Sequence, residues 1–454
     1  MVCPDKIRRM FGTDGVRDVA NRGLMTPEAA LSFGRAFVLF LTERGIPHPK
    51  ILVCRDTRRS GAMLESALCA GMMSAGAEIY LLGIFPTPGI SRILGSGGFD
   101  AGAVISASHN PAEYNGVKFF NARGHKLKDG DEAEIESYLR DDLLQDCRPT
   151  GASVGNLHDA SSLRGIYLDW LKELLSSVGT YDWPLVLDAA NGAACAVTGE
   201  VFAGWSASVI YCGVNPNGLN INDEVGVMHM DHLASEVSKN RARLGIAFDG
   251  DADRVLLCDS KGRPIDGDMM LWVIARDMRR AGKLANGMVA TVMSNMILEE
   301  FLAREGIKMY RCSVGDRYVF EKMLETGALL GGEQSGHIIM MEHAGTGDGI
   351  SAGLMFLKAC ASLGEDIDTL VDRFPRYPQI LENVKMDNRD RVLSSSALAD
   401  ATRTAEERLA GRGRVFIRPS GTEPLVRILV ESRDADLTRE ICGDLKRVLT
   451  EIAG

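Results

Sequence analysis

The sequence predicts an α/β protein: three similar α/β units followed by a smaller C-terminal α+β domain. Three observations lead there. Short apolar runs alternate with longer helical patterns, the α/β rhythm. A plan in which a strand ends in a polar loop recurs along most of the chain. After the two prolines of "DRFPRYPQI" (372–380) that plan gives way to two strand-like runs around "RVFIRPSGTEPLVRILVES" (414–432) and two helical patterns. A chain of 454 residues, 45% hydrophobic, is also too long for one simple core.

In chain order, "ILVCRD" (51–56) reads as a buried strand. "SGAMLESALCAGMMSAG" (60–76) reads as a helix, with Ser60 as N-cap and Gly76 as stop. "AEIYLLG" (77–83) and "AGAVIS" (101–106) are strands, and "GVKFFN" (116–121) is expected to follow a reversal made by Asn110-Pro111 and by an Asn115-Gly116 turn. The plan returns in "WPLVLDAANGAA" (183–194) and "ARLGIAFDGDADRVLLCD" (242–259), then from "NGMVATVMSN" (286–295) to "GALLGGEQSGHIIM" (327–340). Polar "RPTGASVGNLHDASS" (148–162) reads as a linker, and the chain crosses to the third unit near 256–268. The expected domains are 1–155, 156–257, 258–372 and 373–454. Ligands of open α/β sheets bind beyond the carboxyl ends of strands, so the three loops can line one cleft.

Composition excludes several classes. A net charge of −10 disfavours a nucleic-acid partner, whereas a local arginine cluster can still attract an anionic small molecule. The 10 cysteines contain no CxxC pair and fit neither a zinc ribbon nor a disulfide framework, which implies buried free thiols in a reducing compartment. No long apolar leader and no run of roughly 18 apolar residues occurs, so no membrane partner and a cytoplasmic location are expected.

Four segments carry chemistry. In "FDGDADR", Asp249, Asp251 and Asp253 alternate with small residues; three carboxylates this close repel one another unless a cation neutralises them. Hard oxygen donors suit Mg²⁺ or Mn²⁺. The alternative is an acidic surface turn, which the apolar run "LGIAF" leading straight into it argues against. An EF-hand does not fit, because Arg254 and Ser260 stand where such a loop needs Gly and Glu. In "SASHNP", Ser106 belongs to the strand pattern and Ser108 to the loop beside His109. A phosphorylated Ser108 can offer the metal an oxygen; alternatively, these groups only satisfy turn amides ahead of Pro111. No GxSxG elbow surrounds Ser108. "GGEQSGH" (331–337) sets Glu333, Ser335 and His337 between glycines, as a sugar-hydroxyl site or as a tight turn. "RPSGTEPLVR" (418–427) gathers Arg418, Ser420, Gly421, Thr422 and Arg427, which suit a phosphate nest or a plain Ser-Gly turn. Arg17 in "FGTDGVR" lies on a glycine-flanked loop, and Lys118 reads equally as base, phosphate binder or solvated strand lysine.

Together these motifs resemble the α-D-phosphohexomutase superfamily over essentially the whole chain. Its four loops match in order as "SASHNP", "DGDADR", "GEQSGH" and "RPSGTEP". Within it, "FGTDGVR", "FDGDADR", "TVMSN", "GDRYV" and "GGEQSGH", with Gln334 in the sugar loop, are most similar to the branch acting on glucosamine phosphates. The resemblance implies four domains with mixed sheets around a central cleft. It implies Ser108 as phosphoserine, primed by a sugar 1,6-bisphosphate or by autophosphorylation, and one Mg²⁺ on Ser108, Asp249, Asp251 and Asp253. It further implies interconversion of glucosamine 6-phosphate and glucosamine 1-phosphate through the 1,6-bisphosphate, feeding UDP-N-acetylglucosamine synthesis. Arg17, His109 and Arg254 would attend the phosphoryl group, and Lys118 and His337 the sugar protons. Glu333 and Ser335 would grip the sugar; Arg418, Ser420, Gly421, Thr422 and Arg427 would hold the distal phosphate. A homodimer is implied by relatives alone.

Two departures stand out. Ala252 replaces the middle glycine of DGDGDR, harmless only if that residue does not need positive φ. Val227 and Met228 replace the polar pair of a segment usually reading GSTH. Rival readings are a phosphoglucomutase or phosphomannomutase on the same scaffold, a haloacid-dehalogenase-type phosphatase using Asp249 and Asp251, and a sugar-phosphate sensor without turnover.

Overall fold

The computed structural model describes residues 10–12, 14–140, 148–386, 388–419 and 425–453. They form two compact units, one of Met1–Met293 with Ile307–Val371 and one of Ser294–Gly306 with Asp372–Gly454.

Among the described residues the larger unit holds three sheets. The first comprises β1 (Val16–Val19), β2 (Lys50–Arg55), β3 (Glu78–Ile84), β4 (Ala101–Ile105), β5 (Tyr114–Asn121) and β6 (Leu157–Asp159), in the order β1-β5-β4-β2-β3-β6. The second comprises β7 (Tyr181–Asp188), β8 (Ser206–Cys212), β9 (Leu244–Phe248), β10 (Val255–Asp259) and β11 (Pro264–Ile265), ordered β11-β10-β9-β7-β8. The third comprises β12 (Met288–Thr291), β13 (Met309–Cys312), β14 (Leu330–Gly332) and β15 (Ile338–Met340), ordered β13-β12-β14-β15. Strand pairing carries the first sheet to Asp159 and the second to Ile265.

The recurring plan is visible in the pairing. In each sheet one strand (β2, β7 or β12) lies parallel to two neighbours, and one of those turns back into an antiparallel partner. The reversals are β4 to β5, β9 to β10 and β14 to β15. The loops at these reversals are "SASHNP", "DGDADR" and "GEQSGH". Each therefore leaves the carboxyl end of a buried parallel strand, where such sheets bind ligands. β4 and β9 are buried at every residue, which explains their unbroken apolar runs.

Two local expectations change. Asn115 and Gly116 make no turn; they lie inside β5, where Gly116 pairs with Arg17. Asn115 is buried and donates to the Ser60 hydroxyl at 2.9 Å. A Cβ on Gly116 would stand 2.6 Å from the Val16 carbonyl and 2.7 Å from that of Ser106, so backbone crowding accounts for the glycine. The reversal occurs earlier, through the Asn110 amide to the Ala107 carbonyl and the Tyr114 amide to the Pro111 carbonyl, each 3.1 Å. The second helix runs Gly61–Ser74, and the Ser60 side chain makes no cap bond. By contrast Thr26 caps the helix Pro27–Glu43, accepting from the Ala29 amide at 3.2 Å.

The smaller unit carries the sheet β16 (Gln379–Lys385), β17 (Gly413–Pro419) and β18 (Leu425–Ser432), antiparallel in the order β16-β18-β17. Val426, Ile428 and Val430 share a core with Ile441, Leu445 and Leu449 of the helix Ala435–Ala453.

Candidate active site

Ser108 follows β4 and is fully buried, with φ of 52° in the left-handed region. That conformation is costly for a residue with a side chain and persists only where surroundings fix it. Here it turns the hydroxyl onto Asp249, to which Oγ donates at 2.5 Å. His109 Nδ1 lies 3.3 Å from the same Oγ.

Asp249, Asp251 and Asp253 are all buried, and one carboxylate oxygen of each lies within 4.8 Å of the others. Burial, with the charges of Asp253 and Asp251, pushes the Asp249 carboxyl well above its usual range. Burial also opposes ionisation of Asp253, but Lys118 and His337 prevail and hold it well below that range. Asp251 is likewise lowered, burial and Asp253 being outweighed by Lys118 and Thr87. Among the described residues, the buried Asp251 Oδ1 and Asp253 Oδ1 have no hydrogen-bond partner. Orphaned hard acceptors beside a carboxyl that resists ionisation are what a divalent cation would relieve, so the residues fit a metal site.

Lys118, from β5, is not a solvated lysine. It is 1% exposed, and its Nζ lies 2.8 Å from Asp251, 3.3 Å from Asp253 and 3.1 Å from Asp14. Burial alone would neutralise it, but Asp251 and Asp253 raise its pKa. Asp14 also pairs with Arg17 and with Lys126, and Lys126 pairs with Asp316. His337 closes the ring, with Nδ1 3.7 Å from Asp253 and Nε2 3.6 Å from Asp316. The Gly347 amide donates to Nε2 at 3.0 Å, which leaves Nδ1 as the ring nitrogen facing Asp253. Basic and acidic side chains alternate around this largely buried circuit, and pairing is how such groups remain inside a protein.

Arg254 brings its Nε to 4.0 Å from Asp253, while its backbone amide donates to Asp249 at 3.1 Å. Burial would lower its pKa, but Asp253 and Asp249 raise it; burial lowers that of Arg17. Burial and the charges of Arg254 and Arg17 bring His109 down to about 4, so its ring is neutral at physiological pH. Glu333 accepts from the Gly315 amide at 3.0 Å and from the Ser335 hydroxyl at 3.3 Å, which orders the third loop.

Sequence reasoning missed Asp14, Thr87, Lys126 and Asp316. Thr87 donates to Asp251 at 2.6 Å, and its amide binds the Asp251 carbonyl at 3.0 Å. Asp14 and Asp316 sit in the segments "FGTDGVR" and "GDRYV"; nothing in the sequence marks Lys126.

Both departures are resolved. Ala252 takes φ of 61°, so the position does call for left-handed backbone and the alanine is strained there. Val227 is core, packed with Val186, Leu233 and Val237, and Met228 is 58% exposed beside a cavity it lines with His109 and His229.

In the smaller unit, Arg418 and Arg427 stand directly opposite each other across β17 and β18. Burial and the charge of Arg427 lower the Arg418 pKa. Like charges paired across strands are unfavourable without an anion between them. Ser420, Gly421 and Thr422 lie outside the described residues.

Three matching hairpins, whose loops carry Ser108, the carboxylate cluster and Glu333, define a phosphohexomutase fold. Models of the phosphoglucomutase/phosphomannomutase family match residues 8–145 as its α/β/α domain I, 266–377 as its domain III and 381–448 as its C-terminal domain. The phosphoglucosamine mutase of Desulforamulus reducens is 45% identical, covering 98% of this chain and 100% of that protein. That of Moorella thermoacetica is 44% identical, covering 97% and 99%. Among solved structures, a phosphoglucomutase/phosphomannomutase family protein from Burkholderia thailandensis superposes with a TM-score of 0.78 at 24% identity, covering 98% of this chain and 97% of that one. N-acetylphosphoglucosamine mutase of Aspergillus fumigatus, solved with GlcNAc-6P and magnesium, gives 0.70 at 17% identity over 100% and 97%. The chain belongs to the phosphoglucosamine mutase family of the α-D-phosphohexomutases.

Proposed function

We propose that the chain is an isomerase interconverting glucosamine 6-phosphate and glucosamine 1-phosphate, with Ser108 as the phosphoryl carrier. One observation supports this most: the Ser108 hydroxyl bonded to Asp249 inside a buried carboxylate cluster. Near-full-length relatives at 42–45% identity all carry phosphoglucosamine mutase activity in their names, so the glucose or mannose phosphate reading is not favoured.

In this reading Ser108 Oγ releases its phosphoryl group to O1 of glucosamine 6-phosphate. The bisphosphate turns over in the site, Oγ recovers the phosphoryl group from O6, and glucosamine 1-phosphate leaves. Asp249, Asp251, Asp253 and Ser108 would hold Mg²⁺, which supplies positive charge beside the transferring group. Arg17 and Arg254 add fixed charge to the same group. Lys118 and His337 are the candidates for proton transfer at the sugar hydroxyls. Glu333 and Ser335 grip hydroxyls present in both orientations, and Arg418 and Arg427, with Ser420, Gly421 and Thr422, hold the phosphate that does not react. Among the described residues no helix is long and apolar enough to cross a membrane. A homodimer in the cytoplasm completes the reading.

Intact mass tests it. The active protein should carry one phosphoryl group on the peptide holding Ser108, and Ser108→Ala should lose turnover while keeping its fold. Near-normal isomerisation by that variant would remove Ser108 from the reaction.

A further inference from the structure

We propose that Arg58 is a positioning residue for phosphoryl transfer: its guanidinium fixes the Ser108 turn so that Oγ meets the carboxylate cluster. The inference rests on Ser108 as carrier. Arg58 follows β2 and its side chain is fully buried. All five of its side-chain N–H donors are used. Nε donates to Asp56 at 2.8 Å. One terminal nitrogen donates to the carbonyls of Ser108 at 2.9 Å and Asn110 at 2.8 Å. The other donates to those of Tyr114, at 3.0 Å, and Pro111.

Four carbonyls of the "SHNPAEY" turn thus converge on one planar fork. A lysine has three donors and no fork, so it cannot reproduce this arrangement. Asp56 in turn receives the Ser106 hydroxyl at 2.7 Å, and Ser106 Oγ accepts the Ser108 amide at 2.9 Å. Both faces of the Ser108 peptide geometry are therefore set from Arg58, one directly and one through Asp56 and Ser106. On the far side Asn222 donates to the same Ser108 and Asn110 carbonyls at 2.9 and 3.0 Å. A Cβ on Gly250 would stand 2.5 Å from the Ser108 carbonyl, so this turn is wedged against the aspartate loop. The left-handed φ at Ser108 is held by this clamp, and releasing it lets Oγ swing from Asp249.

The test compares Arg58→Lys and Ser106→Ala with the unaltered enzyme. Ser108 is first phosphorylated with glucose 1,6-bisphosphate, and phosphoserine is quantified by intact mass. Turnover is then expressed per mole of phosphorylated enzyme. Misplacing a reacting group by an ångström costs on the order of 100-fold, which is the fall expected in kcat for Arg58→Lys, with about 10-fold for Ser106→Ala and KM changing less than kcat in both. A purely structural role would lower stability and yield but leave turnover per phosphorylated molecule intact. A fall below roughly fivefold in Arg58→Lys overturns the proposal. A larger fall, or failure to accept phosphate with an unchanged far-UV spectrum, supports it. If Arg58→Lys does not fold, Ser106→Ala decides on the same readout and threshold. Turnover by Ser108→Ala would instead refute the carrier assignment, a different result from a silent Arg58→Lys.

Discussion

Asp348 offers a quantitative test of how the aspartate loop is supported. It caps the helix Gly349–Leu363, accepting from the Ser351 amide at 3.0 Å, and the buried Tyr167 hydroxyl donates to it at 3.0 Å. The next residue docks on the aspartate loop, its amide donating to the Ala252 carbonyl at 3.0 Å. Among the described residues Asp348 Oδ2 has no partner, and burial raises the carboxyl from 3.8 to about 6 despite the hydrogen bonds it accepts from Ser351 and Tyr167. The folded state therefore keeps a proton that the unfolded chain gives up at lower pH. Stability falls as pH rises from about 3.8 to about 6, and the loss is complete above that window. That rise corresponds to about 3 kcal/mol at neutral pH. Asparagine mimics the protonated acid and caps equally well. Asp348→Asn should thus stabilise the protein by up to about 3 kcal/mol near pH 7.5, shrinking to about 1 kcal/mol near pH 4.5. Urea unfolding followed by far-UV circular dichroism at the two pH values measures both. A variant less stable than the parent at the higher pH, or a gain equal at both, would refute the ionisation argument.

The remaining expectations concern other groups. Burial, reinforced by Arg92 against Glu342, brings His343 down to about 4. The unfolded histidine takes up a proton first, so stability should fall between about pH 6.5 and pH 4, by at most about 3 kcal/mol, and His343→Gln should flatten that limb of a urea-midpoint profile. An equally steep limb in the variant would clear His343. Asp251→Asn should raise the Mg²⁺ concentration for half-maximal activity by at least about tenfold, and an unchanged metal titration would take the cluster out of the mechanism. Arg418→Ala should raise KM for glucosamine 6-phosphate by about 10- to 100-fold with a smaller change in kcat; an unchanged KM would remove Arg418 from phosphate binding.

What the sequence made legible follows from locality. The three-sheet plan was readable because β4 and β9 are buried on both faces and so are written as unbroken apolar runs ending in polar loops. The carboxylate cluster was readable because its members are two residues apart. Partners distant in the chain were not: Lys126 meets Asp14 and Asp316 from 112 and 190 residues away. Side-chain environment was equally hidden. "CRDTRRSG" holds three arginines within five residues, and only folding decides that Arg58 is enclosed by carbonyls, Arg55 pairs with Glu65 and Arg59 stays exposed. Asn115-Gly116 has the composition of a hairpin turn, yet crowding by Val16 and Ser106 explains that glycine without any reversal. Ala252 shows the opposite error, a positive φ where the residue type gives no warning. Turn chemistry read from residue types therefore fails in both directions at the loops that matter most here. These loops are over-determined by contacts from other segments, and the same contacts hold Ser108 and Ala252 in backbone conformations that neither residue would choose alone.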